Sequence, residues 1–375
     1  MGAYFNILNI LHVISFPAAG GAEIYVKDLA KELVEQGHEV HIGFLGRAND
    51  IGRSVEFEAS FLNDLELSGV KYFFIGNEAR RMPWVGAWRV HKYVKTNKID
   101  VYHSHLTYGI AFGCVLKIPR FYTHHSIAMR IQRNAFWALK SCIDQLVGIS
   151  ESCSAVLAKF SNSDVVTILN GVDTKKFRQS DLRPRRLKDV VRCVSVGRLC
   201  AEKNYRLLIT AISLLPSEIK SRIELKIAGE GSLQDVKALD CQISDAGLDG
   251  VIQLIGNVEN VPLLLAESDL FLMSSASEGL PIVLIEAAIA GLPCVVTDAG
   301  ACREVIETCQ NGVVVELGNA KGLAEGISRL IEEADLFATY SRNALAHSAR
   351  FSIDRAALKH VELYEMLLQA NRASF

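Results

Sequence analysis

Short apolar runs alternate along this chain with longer amphipathic stretches, and the alternation starts afresh about halfway. Residues 5–13 read as a buried strand, Gly20-Gly21-Ala22-Glu23 as a turn, and residues 24–36 as an amphipathic helix stopped by Gly37, with the next strand at 39–45. A polar, irregular region is expected at 46–63, then short strands near 70–75, 101–103 and 121–124 with helices between them, and a last inner strand at 147–150. Asn170-Gly171-Val172-Asp173 is a turn signal, and the basic, proline-bearing stretch 181–189 is the expected linker. Beyond it the pattern predicts a strand at 190–196, a helix at 205–214, a strand at 223–228, a helix at 233–246 and a strand at 251–254. A short helix at 261–267, a strand at 270–273, a helix from Pro281, a strand at 294–297 and helices to the end complete it. Two such sets imply an α/β chain with two Rossmann-like, doubly wound parallel sheets facing a cleft. The expected domains are 1–180 and 181–351, with a C-terminal helix at about 352–375 packing back on the first.

The sharpest break in the pattern follows the strand at 270–273. The turn Ser274-Ser275-Ala276-Ser277-Glu278-Gly279-Leu280-Pro281 is built of small residues, and a proline at a helix start costs no hydrogen bond. The N–H groups around Gly279 and Leu280 then face outward, a seat for an anion. From 282 to 290 every residue but Glu286 is apolar, so the helix is expected to be buried all round. A carboxylate there needs a partner, either a neighbouring arginine or backbone, or a ligand.

Composition narrows the possibilities. Among 375 residues half are hydrophobic and 22% charged, enough for two cores. A net charge of −2 argues against a general nucleic-acid binder. Residues 1–180 carry 20 Lys and Arg against 16 Asp and Glu, whereas the remainder carries 20 against 26, and eight of the ten His lie in the first half. That asymmetry suits a basic, His-bearing face that meets something anionic. The nine cysteines show no CxxC pair or metal-ligand spacing and read as buried thiols of a cytoplasmic protein. Residues 1–14 lack a basic region and cleavage site, and the apolar tract 280–296 is broken by Glu286 and by Gly291-Leu292-Pro293, so neither a signal peptide nor a membrane span is expected.

Three further motifs follow strands, where open α/β sheets bind ligands. Gly20-Gly21 opens the first helix without the full dinucleotide spacing, so a tight turn is the plain alternative. Gly197-Arg198-Leu199-Cys200-Ala201-Glu202-Lys203-Asn204 places two cations at a strand end, suited to a diphosphate, although Lys203 could simply pair with Glu202. Gly229-Glu230-Gly231 would bring backbone close to the same ligand or merely turn. His103 reads as a histidine satisfied inside its sheet, and His105 as a site candidate.

Taken in order, these motifs resemble the retaining glycosyltransferases of family 4, which have the two-domain GT-B fold. Glu278-Gly279-Leu280-Pro281 with Glu286 is similar to the family's E-x7-E motif. Asn170-Gly171-Val172-Asp173 with Phe177, and the helix after Phe351-Ser352, extend the likeness over nearly the whole chain. The resemblance implies that Arg198 and Lys203 hold the donor's diphosphate as leaving group and that Glu286 bonds the ribose hydroxyls. Glu278 and the amides of Gly279 and Leu280 would face the sugar, and Gly20 and Gly21 would let the N-terminal loop close over the phosphates. Gly197, Gly229 and Gly231 would line the donor, and His125, in Thr123-His124-His125, matches the family's T-x-H position near the reacting sugar. The implied reaction moves a hexose or N-acetylhexosamine, with retention, from a nucleoside diphosphate sugar, a UDP-sugar foremost, to a glycan or lipid-linked acceptor in cell-surface polysaccharide synthesis. No D-x-D occurs, so no metal and no cofactor is expected beyond the donor itself. A nucleotide-sugar epimerase or phosphorylase of the same fold, or a non-catalytic nucleotide-sugar binder, is the alternative. Two basic, aromatic stretches suit an anionic membrane surface or a lipid diphosphate, which would make the enzyme peripheral, although ordinary half-buried surface helices read the same way: residues 124–140, with Arg130, Arg133, Trp137 and Lys140, and residues 80–89, with Arg80, Arg81, Met82, Trp84, Trp88 and Arg89.

Overall fold

In the computed structural model, which describes residues 6–18, 20–52, 54–129, 131–177 and 184–373, the apolar runs form two parallel sheets. The strands of the first are β1 (Asn9–Ile14), β2 (Glu39–Phe44), β3 (Lys71–Phe74), β4 (Val101–Ser104), β5 (Arg120–His124), β6 (Gln145–Gly148) and β7 (Val165–Thr167). Their order is β3-β2-β1-β4-β5-β6-β7. The second sheet, in the order β10-β9-β8-β11-β12-β13, contains β8 (Val191–Val196), β9 (Ile223–Ala228), β10 (Ile252–Gly256), β11 (Leu270–Met273), β12 (Cys294–Thr297) and β13 (Gly312–Val315). In each sheet the first strand has neighbours wound in opposite directions. The loops after β1 and β4, and after β8 and β11, therefore flank a topological switch point.

The chain divides into two compact units, Met1–Asp173 with Ile353–Phe375, and Thr174–Ser352. The division precedes 180/181 because Phe177, in the 3-10 turn Thr174–Phe177, is fully buried and that turn packs against the helix Val261–Glu267 of the second unit. Residues 181–183 of the expected linker lie outside the described residues. The terminal helix Ile353–Ala373 packs on the helix Gly21–Glu35: Tyr25 and His360 share a 3.0 Å hydrogen bond, and the Ile353 N–H donates to the Val172 carbonyl at 3.0 Å. In the second unit Leu208, Ile212, Leu225, Ile227, Leu272 and Val295 join one apolar core.

Several expectations need correction. The stretch expected to be irregular contains the helix Val55–Leu67, capped by the Ser54 side chain, which accepts from the Phe57 N–H. Its buried stripe includes Glu58, which hides the apolar period: Glu58 accepts from the Ala48 N–H and from Arg47. The edge strands β7 and β13 add to the predicted sets. The helix after Pro281, Ile282–Ile289, is not buried all round, since Ile282, Val283 and Glu286 are only half-buried and share one face. The reading of all cysteines as buried thiols also fails: Cys114 and Cys142 form a disulfide, and Cys241 is exposed. The crossovers between β4 and β6 bring together two helix ends 28 residues apart, Cys114 after Ile110–Gly113 and Cys142 just past Arg133–Lys140, and spacing along the chain does not reveal such a pairing.

Candidate active site

Four loops at the C-terminal edge of the second sheet interlock. After β8 the chain leaves Gly197 and runs to Asn204, which takes a left-handed φ of 48° before the helix Tyr205–Ser213. After β9, Gly229 lies so close to the Gly197 carbonyl that a Cβ would stand 1.9 Å from its oxygen, and one on Gly231 would meet the Leu199 Cβ at 2.6 Å. Both positions therefore need glycine for close backbone approach. Backbone bonds tie the loops: the Leu199 N–H donates to the Glu230 carbonyl at 2.7 Å and the Ala276 N–H to the Glu202 carbonyl at 2.8 Å. Ser274 Oγ bonds the Lys203 and Asn204 carbonyls, and Thr297 Oγ1 donates to the Ser275 carbonyl at 2.6 Å.

On this frame Lys203 Nζ donates to Glu278 Oε1 at 2.6 Å, and Ser275 Oγ donates to the same oxygen at 2.6 Å. Lys203 thus pairs not with the adjacent Glu202 but with a carboxylate 75 residues away, both side chains being largely buried. Arg198 is exposed and makes no ion pair among the described residues. Gly279 and Glu286 are half-buried and Leu280 is buried; Gly279 and Glu286 stand on the open face of the helix start with Ile282 and Val283. The edge thus offers an outward cation, an ammonium clamped by a carboxylate, and a helix N-terminus, which together suit a polyanionic ligand.

The first unit assembles different chemistry. Gly20 caps the helix Gly21–Glu35, and the space beside it is held by the Glu23 carboxylate, which accepts from Ser15 Oγ at 2.6 Å. A carboxylate thus occupies the position at that helix start where a phosphate was expected. The same unit gathers five histidines, four buried and His125 half-buried. His12 on β1 is in register with His103 on β4, and His105 and His125 stand one residue past β4 and β5. His125 Nε2 lies 2.8 Å from His105 Nδ1, and His105 Nε2 lies 3.0 Å from His12 Nδ1. His103, satisfied inside the sheet as expected, bonds Tyr364 at 2.5 Å and Thr123 at 2.6 Å, and His360 stacks on Tyr364. Burial lowers His12, His125 and His360 to about 3, and His103 and His105 well below the ordinary value, so all five rings are neutral at pH 7. Ring nitrogens of His12, His103 and His105 lie within 4.8 Å of one another and could hold a cation, but only by displacing the hydrogen bonds just described.

The two basic, aromatic stretches differ. Arg133 and Lys140 donate to carbonyls at the end of the helix Glu151–Ser161 and are structural; Arg130 lies outside the described residues. On the helix Pro83–Thr96, by contrast, Trp84 and Trp88 are 67% and 63% exposed one turn apart, with Lys92 over the Trp88 ring and Arg81 exposed nearby. Arg89 is paired with Glu78.

Two family models match almost end to end: "Glycosyltransferase Family 4" over residues 19–176 and "Glycosyl transferases group 1" over residues 178–347. The chain belongs to the family 4 glycosyltransferases. This glycosyltransferase is 22% identical over 352 residues to the N-acetyl-alpha-D-glucosaminyl L-malate synthase of Bacillus anthracis, covering 86% of this chain and 88% of that protein. It is 31% identical over 198 residues, 52% of either chain, to the N-acetylgalactosamine-N,N'-diacetylbacillosaminyl-diphospho-undecaprenol 4-alpha-N-acetylgalactosaminyltransferase of Campylobacter jejuni. Its GT-B fold matches that of Anabaena HepE, crystallised with UDP and glucose, with a TM-score of 0.78 and 21% identity over 96% of this chain and 99% of that one.

Some residues that shape these sites escaped sequence reasoning. Gly300, with φ +55°, packs against the Glu278 backbone, where a Cβ would stand 1.7 Å from the carbonyl oxygen. Ser275 looked like one more small turn residue. His12 sits inside an apolar run, and His360 and Tyr364 carry only the spacing of one helix face; a polar residue in an otherwise apolar strand was the available signal for His12.

Proposed function

We propose that this glycosyltransferase moves a hexose or N-acetylhexosamine from a UDP-sugar to a glycan or lipid-linked acceptor, with retention at the anomeric carbon and without a metal ion. The observation that carries the reading is the loop cluster in which Lys203 is clamped by Glu278 beside the exposed Arg198 at a switch-point edge. Breaking the bond between the sugar and the phosphate oxygen puts negative charge on the departing diphosphate and positive charge on the anomeric carbon. Arg198, Lys203 and the helix start at Ile282 answer the first. Gly197, Gly229 and Gly231 let backbone approach the nucleotide, Glu286 bonds the ribose, and Glu278 with the Gly279 and Leu280 amides faces the sugar. His125 contributes a contact to the same sugar, and the Gly20-Gly21 loop meets the phosphates once the Glu23 carboxylate gives way. The acceptor hydroxyl attacks from the face the diphosphate leaves, forming the new C–O bond, and its proton passes to a phosphate oxygen of the released UDP.

A lipid-diphosphate acceptor, of the kind named for the Campylobacter relative, would bring the enzyme to the inner face of a membrane. The exposed Trp84 and Trp88 with Arg81 and Lys92 fit such a surface. Among the described residues no helix is long and apolar enough to cross it. A thermal-shift panel of nucleotide sugars followed by turnover assays tests the reading: a UDP-sugar should stabilise the protein and be consumed, Glu286→Ala should abolish consumption, and EDTA should not affect it. Stabilisation by NAD and by no nucleotide sugar would overturn it. Flotation with anionic vesicles at low and high salt tests the membrane contact.

A further inference from the structure

Glu278 is held from one side. Lys203 Nζ and Ser275 Oγ both donate to its Oε1 at 2.6 Å, while Oε2 accepts no hydrogen bond among the described residues and is not sealed off from solvent. The two donors differ in what else they can do. An ammonium carries three N–H groups on a long, flexible stem, and a diphosphate beside it draws on those donors and on its charge. Lys203 is therefore a hold that an anionic ligand weakens.

Ser275 is a hold of the other kind. It is 1% exposed, and its single hydroxyl proton is committed to Glu278. The backbone beneath it is pinned from a neighbouring strand end, because its carbonyl accepts from Thr297 Oγ1 at 2.6 Å, and Ser274 ties the same turn to the Lys203 and Asn204 carbonyls. A neutral, buried hydroxyl on a fixed backbone does not follow a phosphate. We propose that Ser275 is a positioning residue: it keeps Glu278 Oε1 anchored when a bound diphosphate draws on Lys203, and so leaves Oε2 turned to accept a hydroxyl of the donor sugar. An ionised carboxylate only accepts, so the sugar it selects is one with a free hydroxyl at that place. Every group in this arrangement belongs to the second unit. The sugar half of the proposal rests on the functional reading above; the anchoring of Glu278 does not.

The test uses the full chain in calorimetric titrations with UDP alone and with UDP-glucose, UDP-galactose and UDP-N-acetylglucosamine. Ser275→Ala should bind UDP within about twofold of the parent but the accepted UDP-sugar about tenfold more weakly, the scale of one hydrogen bond to a charged group. In a Glu278→Ala background, where no carboxylate remains to be held, Ser275→Ala should change UDP-sugar affinity by less than about twofold. Ser277→Ala, exposed in the same turn, should alter neither affinity. Ser275→Cys, close in shape but a weak donor, gives a second route should Ser275→Ala not fold. Equal weakening of UDP and UDP-sugar, an unchanged UDP-sugar affinity, or a tenfold loss that persists without Glu278 overturns the proposal. Urea denaturation tests the anchor without any ligand: Ser275→Ala should lower the unfolding midpoint less in the Glu278→Ala background than in the parent, and an equal drop in both overturns the proposal. A parent that binds neither UDP nor any of the three sugars strikes the functional reading instead, and the urea cycle still decides the anchor.

Discussion

Gly300→Ala should disable transfer while leaving the protein folded. Gly300 has φ +55°, and an ideal Cβ would stand 1.7 Å from the Glu278 carbonyl oxygen and 2.7 Å from its carbon. Real Cβ contacts do not fall below 3.0 Å, so one backbone segment must retreat by about 1.3 Å. The listener to that shift is Glu278, which holds Lys203 through a 2.6 Å bond. A displacement of that size in a positioning group lowers kcat/KM by about 100-fold, and alanine in the left-handed region costs about 1–2 kcal/mol of stability. Gly318→Ala separates the two effects: its φ of +74° imposes the same backbone strain, yet nothing lies within 4 Å of the added carbon. Chemical denaturation should find both variants folded, Gly318→Ala weakened by about 1 kcal/mol with unchanged turnover, and Gly300→Ala weakened further and nearly inactive. A folded Gly300→Ala enzyme with kcat/KM within threefold of the parent would refute the reasoning, because transfer would then not depend on where Glu278 is held.

Arg198→Ala should change stability by less than about 0.5 kcal/mol, since the side chain is exposed, while weakening UDP-sugar binding about tenfold; equal binding would remove Arg198 from the site. Lys203→Met should weaken binding and also cost about 2 kcal/mol in urea denaturation, because it strands the largely buried Glu278 carboxylate with Ser275 alone. Asp269, 1% exposed, accepts from Lys188 at 2.6 Å and from the Arg192 backbone at 3.0 Å, so Asp269→Ala should lower stability by about 3 kcal/mol without altering donor affinity. Burial depresses the folded pKa of the five clustered histidines, so their contribution is intact above the unfolded value near 6.5 and is lost as pH falls from there toward about 3. Melts at pH 7.5, 6.5 and 5.5 should therefore show the first unit losing stability as the pH falls below about 6.5, before the second.

The strands were legible because a buried parallel strand is a short apolar run between turn residues, and Ile223–Ala228, Leu270–Met273 and Cys294–Thr297 fall where the pattern places them. Elements escaped where their burial was partial or polar. The edge strand Val165–Thr167 has three half-buried residues, and the helix Val55–Leu67 turns Glu58 inward, where a hydrogen-bonded carboxylate replaces the apolar residue that periodicity looks for. The motif loops of the site were legible for a topological reason. Parallel strands end at the same edge, so the order β9-β8-β11-β12 makes neighbours of loops far apart in sequence. Which side chains then touch is decided by backbone conformation inside those loops: the approach of Gly229 to Gly197, the left-handed turns at Asn204 and Gly300, and the bond from Ala276 to Glu202. These carry no periodic signal, so the sequence offered Lys203 a diphosphate or, as the plain alternative, its neighbour Glu202, and could not show its contact with Glu278. The histidine chain was hidden in the same way: His12, His105 and His125 lie on or just past three different strands, and only register and a shared face of the sheet bring their nitrogens into line.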